Sequence, residues 1–136
     1  MNELILDTGP LVALLDRSER NHQRCLAFFR EIRGRVVTTE PVLTEAVYLL
    51  GPSFRCQKPV LDFFVQGGAE LVSLSPELLQ RSLWLMEKYA DVPMDLADAT
   101  LVALAEQRGC SNILTLDHRG FETYRINGKK PFVIHP

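Results

Sequence analysis

Short apolar runs that stop at an acidic residue are the feature that most constrains how this chain can fold. The run at residues 4–6 stops at Asp7, and the run at residues 113–116 stops at Asp117. Runs that are apolar on both faces are typical of buried strands in parallel sheets. The segments between them show helical periodicity and are long enough to be crossover connections. The pattern therefore predicts a three-layer α/β/α architecture, with a mainly parallel sheet between two layers of helices.

Periodicity and turn residues also predict where the individual elements lie. Strands are expected at residues 4–6, 36–39, 71–74 and 113–116. Helices are expected at residues 8–16, 20–33, 40–50, 60–65, 75–89 and 95–108. In the tail, a turn at Asn127-Gly128 separates residues 124–126 from residues 132–134, and these two segments are expected to add edge strands. No repeat or linker is recognisable, so residues 1–136 are predicted to form one domain.

The composition is that of an ordinary globular chain, with 46% hydrophobic and 24% charged residues among 136. Cys25, Cys56 and Cys110 lack the spacing of a disulfide framework or of a zinc site, which favours a reducing compartment. Neither a signal peptide nor an apolar run long enough to cross a bilayer is recognisable. We therefore expect a cytoplasmic protein.

Four acidic residues lie where a negative charge needs an explanation: Asp7, Glu45, Asp98 and Asp117. Asp7 and Asp117 follow predicted strands, and parallel α/β sheets bind their ligands at the carboxyl ends of strands. Glu45 and Asp98 lie in helical stretches rich in apolar residues, where an unpaired charge is costly to bury. Clustered carboxylates raise one another's pKa unless a cation neutralises them. Together the four acids predict a site for Mg²⁺ or Mn²⁺ and metal-assisted chemistry on a phosphate.

Each acid also has a simpler explanation when it is taken alone. Asp7 could cap the helix that follows it, Glu45 could be a solvated helix residue, and Asp117 could belong to a turn. Asp95 is interpreted as the N-cap of the late helix, which leaves Asp98, one turn further on, as the better ligand. The metal hypothesis depends on the four acids jointly. If the first and fourth strands are neighbours, Asp7 and Asp117 must lie close together.

Few other residues are candidates for chemistry. Thr8 and Thr115 flank the predicted site and could hydrogen-bond a carboxylate, whereas His118 is interpreted as a turn residue. No serine or cysteine nucleophile and no phosphate-binding glycine loop is recognisable. Apart from the acids the chain is mildly basic, which suits a polyanionic substrate. The basic residues that could contact such a substrate, or could simply be solvated charges, are Arg17, Arg20, Arg24, Arg55, Lys58 and Arg119.

The segments that carry the acids resemble those of the PIN-domain nucleases. In size and layout the chain is similar to the VapC-type toxins of bacterial and archaeal toxin–antitoxin pairs. The resemblance covers nearly the whole chain, with its four segments in the family's order. These segments are Leu6-Asp7-Thr8-Gly9-Pro10-Leu11, Glu45-Ala46, Asp95-Leu96-Ala97-Asp98-Ala99 and Thr115-Leu116-Asp117-His118-Arg119-Gly120-Phe121.

The resemblance implies a five-stranded parallel sheet and endonucleolytic cleavage of RNA with a divalent metal. By position, the family's metal-binding acids correspond to Asp7, Glu45, Asp98 and Asp117. Asp95 matches an acid that only some members have, so its role stays open. In the implied mechanism, Glu45 or Asp98 orients or deprotonates the attacking water. VapC-like members usually form homodimers and are blocked by a small antitoxin, so both partners are expected here.

Two other functions are compatible with a chain of this kind. The first is a catalytically inactive PIN-like domain that binds RNA or protein, and the presence of all four acids argues against it. The second is a phosphoacceptor signalling domain, which usually has adjacent acids near its first strand and a lysine after a late strand. Here Asp7 has no acidic neighbour after it, and His118-Arg119 follows Asp117. We therefore expect an endoribonuclease that depends on Mg²⁺ or Mn²⁺ and is the toxin of such a pair.

Overall fold

The structure, a computed structural model, describes all 136 residues from Met1 to Pro136. The strands are β1 (Glu3–Leu6), β2 (Arg35–Thr39), β3 (Glu70–Val72), β4 (Asn112–Leu114), β5 (Arg125–Ile126), β6 (Lys130–Pro131) and β7 (Val133–His135). The helices are α1 (Thr8–Leu15), α2 (His22–Glu31), α3 (Glu40–Leu50), α4 (Phe54–Val65), α5 (Pro76–Lys88), α6 (Leu96–Arg108) and α7 (His118–Thr123).

The main sheet has five parallel strands in the order β3-β2-β1-β4-β7, which confirms the predicted fold class. β1 is the central strand and pairs with β4, with Leu6 opposite Leu114. Asp7 continues this pairing, since its backbone N–H donates to the carbonyl of Leu114 at 3.0 Å. The first and fourth predicted strands are therefore neighbours, and their carboxyl ends lie side by side.

Helices cover the sheet, and α6 is the most deeply buried of them. Its buried residues include four alanines, Ala97, Ala99, Ala103 and Ala105, which allow close packing. The hydroxyl of Thr100 lies 2.7 Å from that of Thr39, so the first turns of α6 are fixed to the end of β2. This contact places the N-terminal turn of α6 near the carboxyl ends of the strands. No helix combines the length and the apolar character that crossing a bilayer would require.

Helix α4 begins earlier than the sequence predicts, at Phe54 rather than at residue 60. Ser53 is its N-cap, and the side chain of Ser53 accepts a hydrogen bond from the backbone N–H of Cys56. Pro59 lies inside the helix. A proline usually marks a helix boundary, and for this reason the first part of the helix was not predicted.

The chain beyond β4 also differs from the prediction. His118 is not a turn residue but the first residue of α7, a short helix with Asp117 as its N-cap. Residues 125–126 do not join the main sheet; they pair with residues 130–131 in a separate antiparallel hairpin. β7, by contrast, adds the expected edge strand beside β4. The tail therefore supplies one edge strand rather than two.

Candidate metal centre

Asp7 is buried at the carboxyl end of the central strand β1. Its Oδ1 accepts a hydrogen bond from the backbone N–H of Thr8 at 2.8 Å, and Asp7 is thereby the N-cap of α1. Its Oδ2 accepts from the hydroxyl of Thr115 at 2.7 Å. The capping role and the site role are therefore compatible, because each carboxylate oxygen retains a second lone pair for another partner.

Asp117 follows β4 and is joined to Asp7 through one threonine. Its backbone N–H donates to Thr115 Oγ1 at 2.9 Å, while the same hydroxyl donates to Asp7. Its side chain is the N-cap of α7, with Oδ1 accepting from the backbone N–H of Gly120 at 3.1 Å. The turn chemistry expected of Asp117 is present, and it fixes the carboxylate beside the end of β1.

Asp98 and Asp95 form a capping box at the start of α6. Oδ1 of Asp95 accepts from the N–H of Asp98 at 2.8 Å, and Oδ2 of Asp98 faces the N–H of Asp95 at 3.4 Å. Asp95 is the predicted N-cap and is exposed. Asp98 is half-buried; burial is the main cause that raises its pKa, and the charge of Asp7 is the next.

Glu45 lies half-buried on α3 and completes the set. Its charge is one of the causes that raise the pKa of Asp7, so it reaches the same region from the helix that follows β2. We call Asp7, Glu45, Asp98 and Asp117 the acidic cluster. The structure brings these four predicted residues to one edge of the sheet from four separate elements.

The electrostatics of the acidic cluster show that its charges act on one another. Burial, and secondarily the charges of Glu45 and Asp117, raise the pKa of Asp7 from 3.8 to about 6. Burial and the charges of Asp7, Asp95 and Asp117 raise the pKa of Asp98 from 3.8 to about 8. Placing these carboxylates together in ionised form therefore costs free energy, and a bound cation would remove that cost.

The oxygen ligands that the acidic cluster offers are of the kind that a hard divalent cation binds. Carboxylate oxygens are the ligands that Mg²⁺ and Mn²⁺ prefer. The hydroxyl oxygen of Thr8, next to Asp7, is buried without a hydrogen-bond partner and is available as a further ligand for a cation. No three acidic or histidine side chains are arranged to hold a metal ion as they stand. Because like charges repel, we expect the carboxylates to close on a common point only around a cation.

Two residues that bear on the site were missed by sequence reasoning, Tyr124 and Gly120. The buried hydroxyl of Tyr124 lies 3.4 Å from Oδ2 of Asp98 and donates toward it, and burial beside Asp98 raises the pKa of Tyr124. A Cβ at Gly120 would overlap Oδ2 of Asp117 and approach the hydroxyl of Tyr124 to 3.2 Å. In the sequence, Tyr124 cannot be distinguished from an ordinary aromatic residue of the core. Gly120 could have been noticed, because a glycine three residues after Asp117 leaves space for a capping carboxylate.

Of the six basic residues predicted to contact a polyanion, Arg119 lies beside the acidic cluster. It lines a small pocket together with Asp117 and Tyr124. Arg17 and Arg20 lie exposed beyond the far end of α1, and Arg24 donates to the carbonyl of Pro136 at 3.3 Å. The other two, Arg55 and Lys58, are on the exposed side of α4.

Comparisons with known proteins identify relatives of the chain in sequence and in fold. Ribonuclease VapC26 of Mycobacterium tuberculosis is 28% identical to the chain over 135 residues, which cover 98% of this chain and 100% of the relative. The solved structure of VapC20 of Mycobacterium tuberculosis, described as a sarcin-ricin loop cleaving toxin, superposes with a TM-score of 0.76 at 18% identity, covering 81% of this chain and 86% of that one. VapBC2 from Rickettsia felis, bound to a DNA fragment from its promoter, gives a TM-score of 0.68 at 14% identity, covering 98% and 99% of the two chains.

The family comparison covers most of the chain. The family description "PIN domain" matches residues 4–127, a range that begins within β1 and contains all seven helices and every member of the acidic cluster. The parallel sheet of five strands is the one that the sequence resemblance implied. The chain therefore belongs to the PIN-domain family.

Proposed function

We propose that this chain is a divalent-metal-dependent endoribonuclease and the toxin of a toxin–antitoxin pair. The observation that carries the proposal is the link between acids at two neighbouring strand ends, where the hydroxyl of Thr115 donates to Asp7 and accepts the backbone N–H of Asp117. The charges of these acids also add to burial in raising the pKa of Asp98. Such a cluster is costly as bare charges and well suited to a cation. The ribonuclease name of the relative VapC26 supports RNA as the substrate.

The four residues of the acidic cluster have two different roles in phosphodiester cleavage. Asp7 and Asp117 provide carboxylates that are fixed at the strand ends by Thr8, Thr115 and the N–H of Gly120. A bound Mg²⁺ or Mn²⁺ would supply the positive charge that offsets negative charge accumulating on the phosphoryl oxygens.

The remaining two acids, Asp98 on α6 and Glu45 on α3, are available to handle the attacking water. One of them orients this water or accepts its proton. An inactive binding domain gains no support, because no member of the acidic cluster is missing and the four lie around the same strand ends.

The test is cleavage of structured RNA in the presence of Mn²⁺, with and without a chelator. We expect wild-type protein to cleave, and both the chelator and Asp7→Asn to abolish cleavage. Glu87→Gln, at an exposed acid on α5 outside the acidic cluster, is the control and should cleave as wild type does. RNA binding without cleavage under any divalent metal would contradict the proposal.

An antitoxin and a second copy of the chain are the proposed protein partners. VapBC complexes among the structural relatives, from Rickettsia felis and Salmonella typhimurium, support the antitoxin. The chain also exposes large apolar side chains on three helices that partners could cover, among them Leu49, Phe54, Val65 and Leu83. Light scattering measures the self-association. Relief of growth arrest by co-expressing a small reading frame beside the gene tests the antitoxin.

A further inference from the structure

An open cleft borders the acidic cluster on the side of α3. One face of α3, the start of α6 and Leu74 border it, and its volume is about 650 Å³. This volume is within the range of roughly 300–1,000 Å³ that is typical of sites for small ligands. Glu45 and Asp95 line the cleft, so it is continuous with the region where the acids gather. We call it the Tyr48 cleft, after the aromatic residue in its wall.

Tyr48 offers the cleft an aromatic ring that the fold does not use. It is 81% exposed, although it is a large and mainly apolar side chain. It lies one turn after Glu45 on the same face of α3, because residues three apart in a helix are neighbours. Pro41, Leu74 and Leu96 make the other apolar surfaces of the cleft. The ring therefore lies exposed beside an apolar surface, next to an acid of the proposed cleavage site.

The charges around the cleft select among the parts of a nucleic acid. Every charged residue that lines it is acidic: Glu40, Glu45 and Asp95. A phosphate would be repelled there, since no lysine or arginine contributes to the lining. A nucleobase is flat and uncharged, and its exocyclic amino groups can donate hydrogen bonds to carboxylates. The cleft therefore suits a base better than it suits the backbone that carries it.

We propose that the Tyr48 cleft is a subsite for one unpaired nucleobase of an RNA, stacked on the ring of Tyr48, beside the phosphate that the acidic cluster addresses. The inference rests on the proposed function and adds to it Tyr48 as a residue that contacts one base of the substrate. Proteins commonly read single-stranded RNA by stacking splayed bases on aromatic side chains. A base inside a duplex is stacked on its neighbours and could not reach the ring.

The test measures RNA binding separately from cleavage. Asp98→Asn is introduced to prevent cutting, and a fluorescently labelled single-stranded RNA of randomised sequence is titrated in Mg²⁺ and followed by anisotropy. Adding Tyr48→Ala should weaken binding by roughly 5- to 100-fold, the range expected for loss of one stacked base. Tyr48→Phe should keep the affinity. Val133→Ala, an exposed apolar residue on β7 that does not line the cleft, is the matched control and should also keep it.

An oligomer with the same backbone and no bases separates stacking from backbone contacts. Tyr48→Ala should leave the affinity for this abasic oligomer unchanged. Equal weakening for both oligomers, unchanged binding of the RNA, or no RNA binding by any variant would overturn the subsite. Binding that depends on Tyr48, combined with a wild-type protein that cleaves under no divalent metal, would overturn the proposed nuclease and leave the subsite standing. If wild type cleaves RNA and Tyr48→Ala changes neither cleavage nor binding, the nuclease proposal stands and the subsite is overturned. That result would favour a protein as the occupant of the cleft.

Discussion

The hydroxyl of Thr115 lies 2.7 Å from Oδ2 of Asp7 and donates a hydrogen bond to it across two neighbouring strands. The same hydroxyl accepts the backbone N–H of Asp117 at 2.9 Å. Thr115 is completely buried, so water cannot replace either bond. One side chain therefore sets the relative positions of the two acids that follow β1 and β4.

Replacing Thr115 with valine removes this link while keeping the shape of the side chain. We expect Thr115→Val to lower Mn²⁺ affinity by about 10- to 100-fold, as losses behind a metal ligand commonly do. It should also cost about 1–3 kcal/mol of stability, because Asp7 Oδ2 loses a buried donor. Calorimetric titration with Mn²⁺ and thermal unfolding measure the two effects. Thr115→Ser retains the hydroxyl and should stay near wild type; equal losses in both variants would contradict the explanation.

Gly120 gives Asp117 its space, and a methyl group there should displace the carboxylate. The backbone at Gly120 is not in the left-handed region, so alanine is compatible with the helical backbone of α7, and the loss of the Asp117 cap should cost only about 0.5–2 kcal/mol of stability. RNA cleavage should nevertheless fall by about 10-fold or more, since a small misplacement of a reacting group is expensive. Steady-state cleavage rates provide the measurement. Glu122→Ala, an exposed change in the same helix, is the control, and unimpaired cleavage by Gly120→Ala would show that Asp117 need not hold its position.

Tyr124 is expected to orient Asp98 through its hydroxyl. The observed 3.4 Å separation is long for a hydrogen bond, but such bonds at reactive sites often shorten once ligands bind. Tyr124→Phe should therefore weaken Mn²⁺ binding by about 10-fold with little loss of packing. The measurement is again calorimetric titration.

Tyr89 supplies the matched control for this experiment. Its ring packs edge-on against that of Tyr124 at 5.1 Å, and its hydroxyl accepts the N–H of Arg125 at 3.0 Å instead of contacting an acid. Tyr89→Phe should cost about 1 kcal/mol of stability and leave Mn²⁺ affinity unchanged. If the two substitutions lower Mn²⁺ affinity equally, Tyr124 has no special relation to Asp98.

Without divalent metal, the stability of the protein should fall as the pH rises from about 4 to 8. The folded-state pKa values of Asp7, about 6, and Asp98, about 8, lie above the ordinary value of 3.8. The native state therefore binds more protons than the unfolded chain in this range, and ionisation opposes folding. Burial lowers the pKa of His135, so this residue alone would make the stability rise with pH.

The comparison of wild type with Asp98→Asn isolates the contribution of the acidic cluster from that of His135. Melting temperatures measured in chelator should decline more steeply with pH for wild type than for the variant. Added Mg²⁺ should reverse most of the decline at pH 8, because a cation stabilises the ionised carboxylates. A wild-type profile parallel to that of Asp98→Asn would contradict this account.

The sheet and the positions of its acids could be predicted because they follow from local pattern. Apolar runs ending in Asp7 and Asp117 locate the ends of two strands, and the parallel pairing of these strands brings the two acids to the same edge of the sheet. Helix α4 was only partly predicted, because Pro59 masks its first turn and a half. The role of Tyr124 could not be predicted, because its contact with Asp98 joins residues 26 positions apart in the sequence. The contact also depends on α7, and a helix this short shows no recognisable periodicity.

The pairing of β7 with β4 has a consequence that reaches the acidic cluster. The carbonyl of His135 accepts the backbone N–H of Thr115 at 3.0 Å, so an edge strand supports the threonine on which Asp7 depends. A change that weakens this edge strand would loosen Thr115, and with it the relative positions of Asp7 and Asp117.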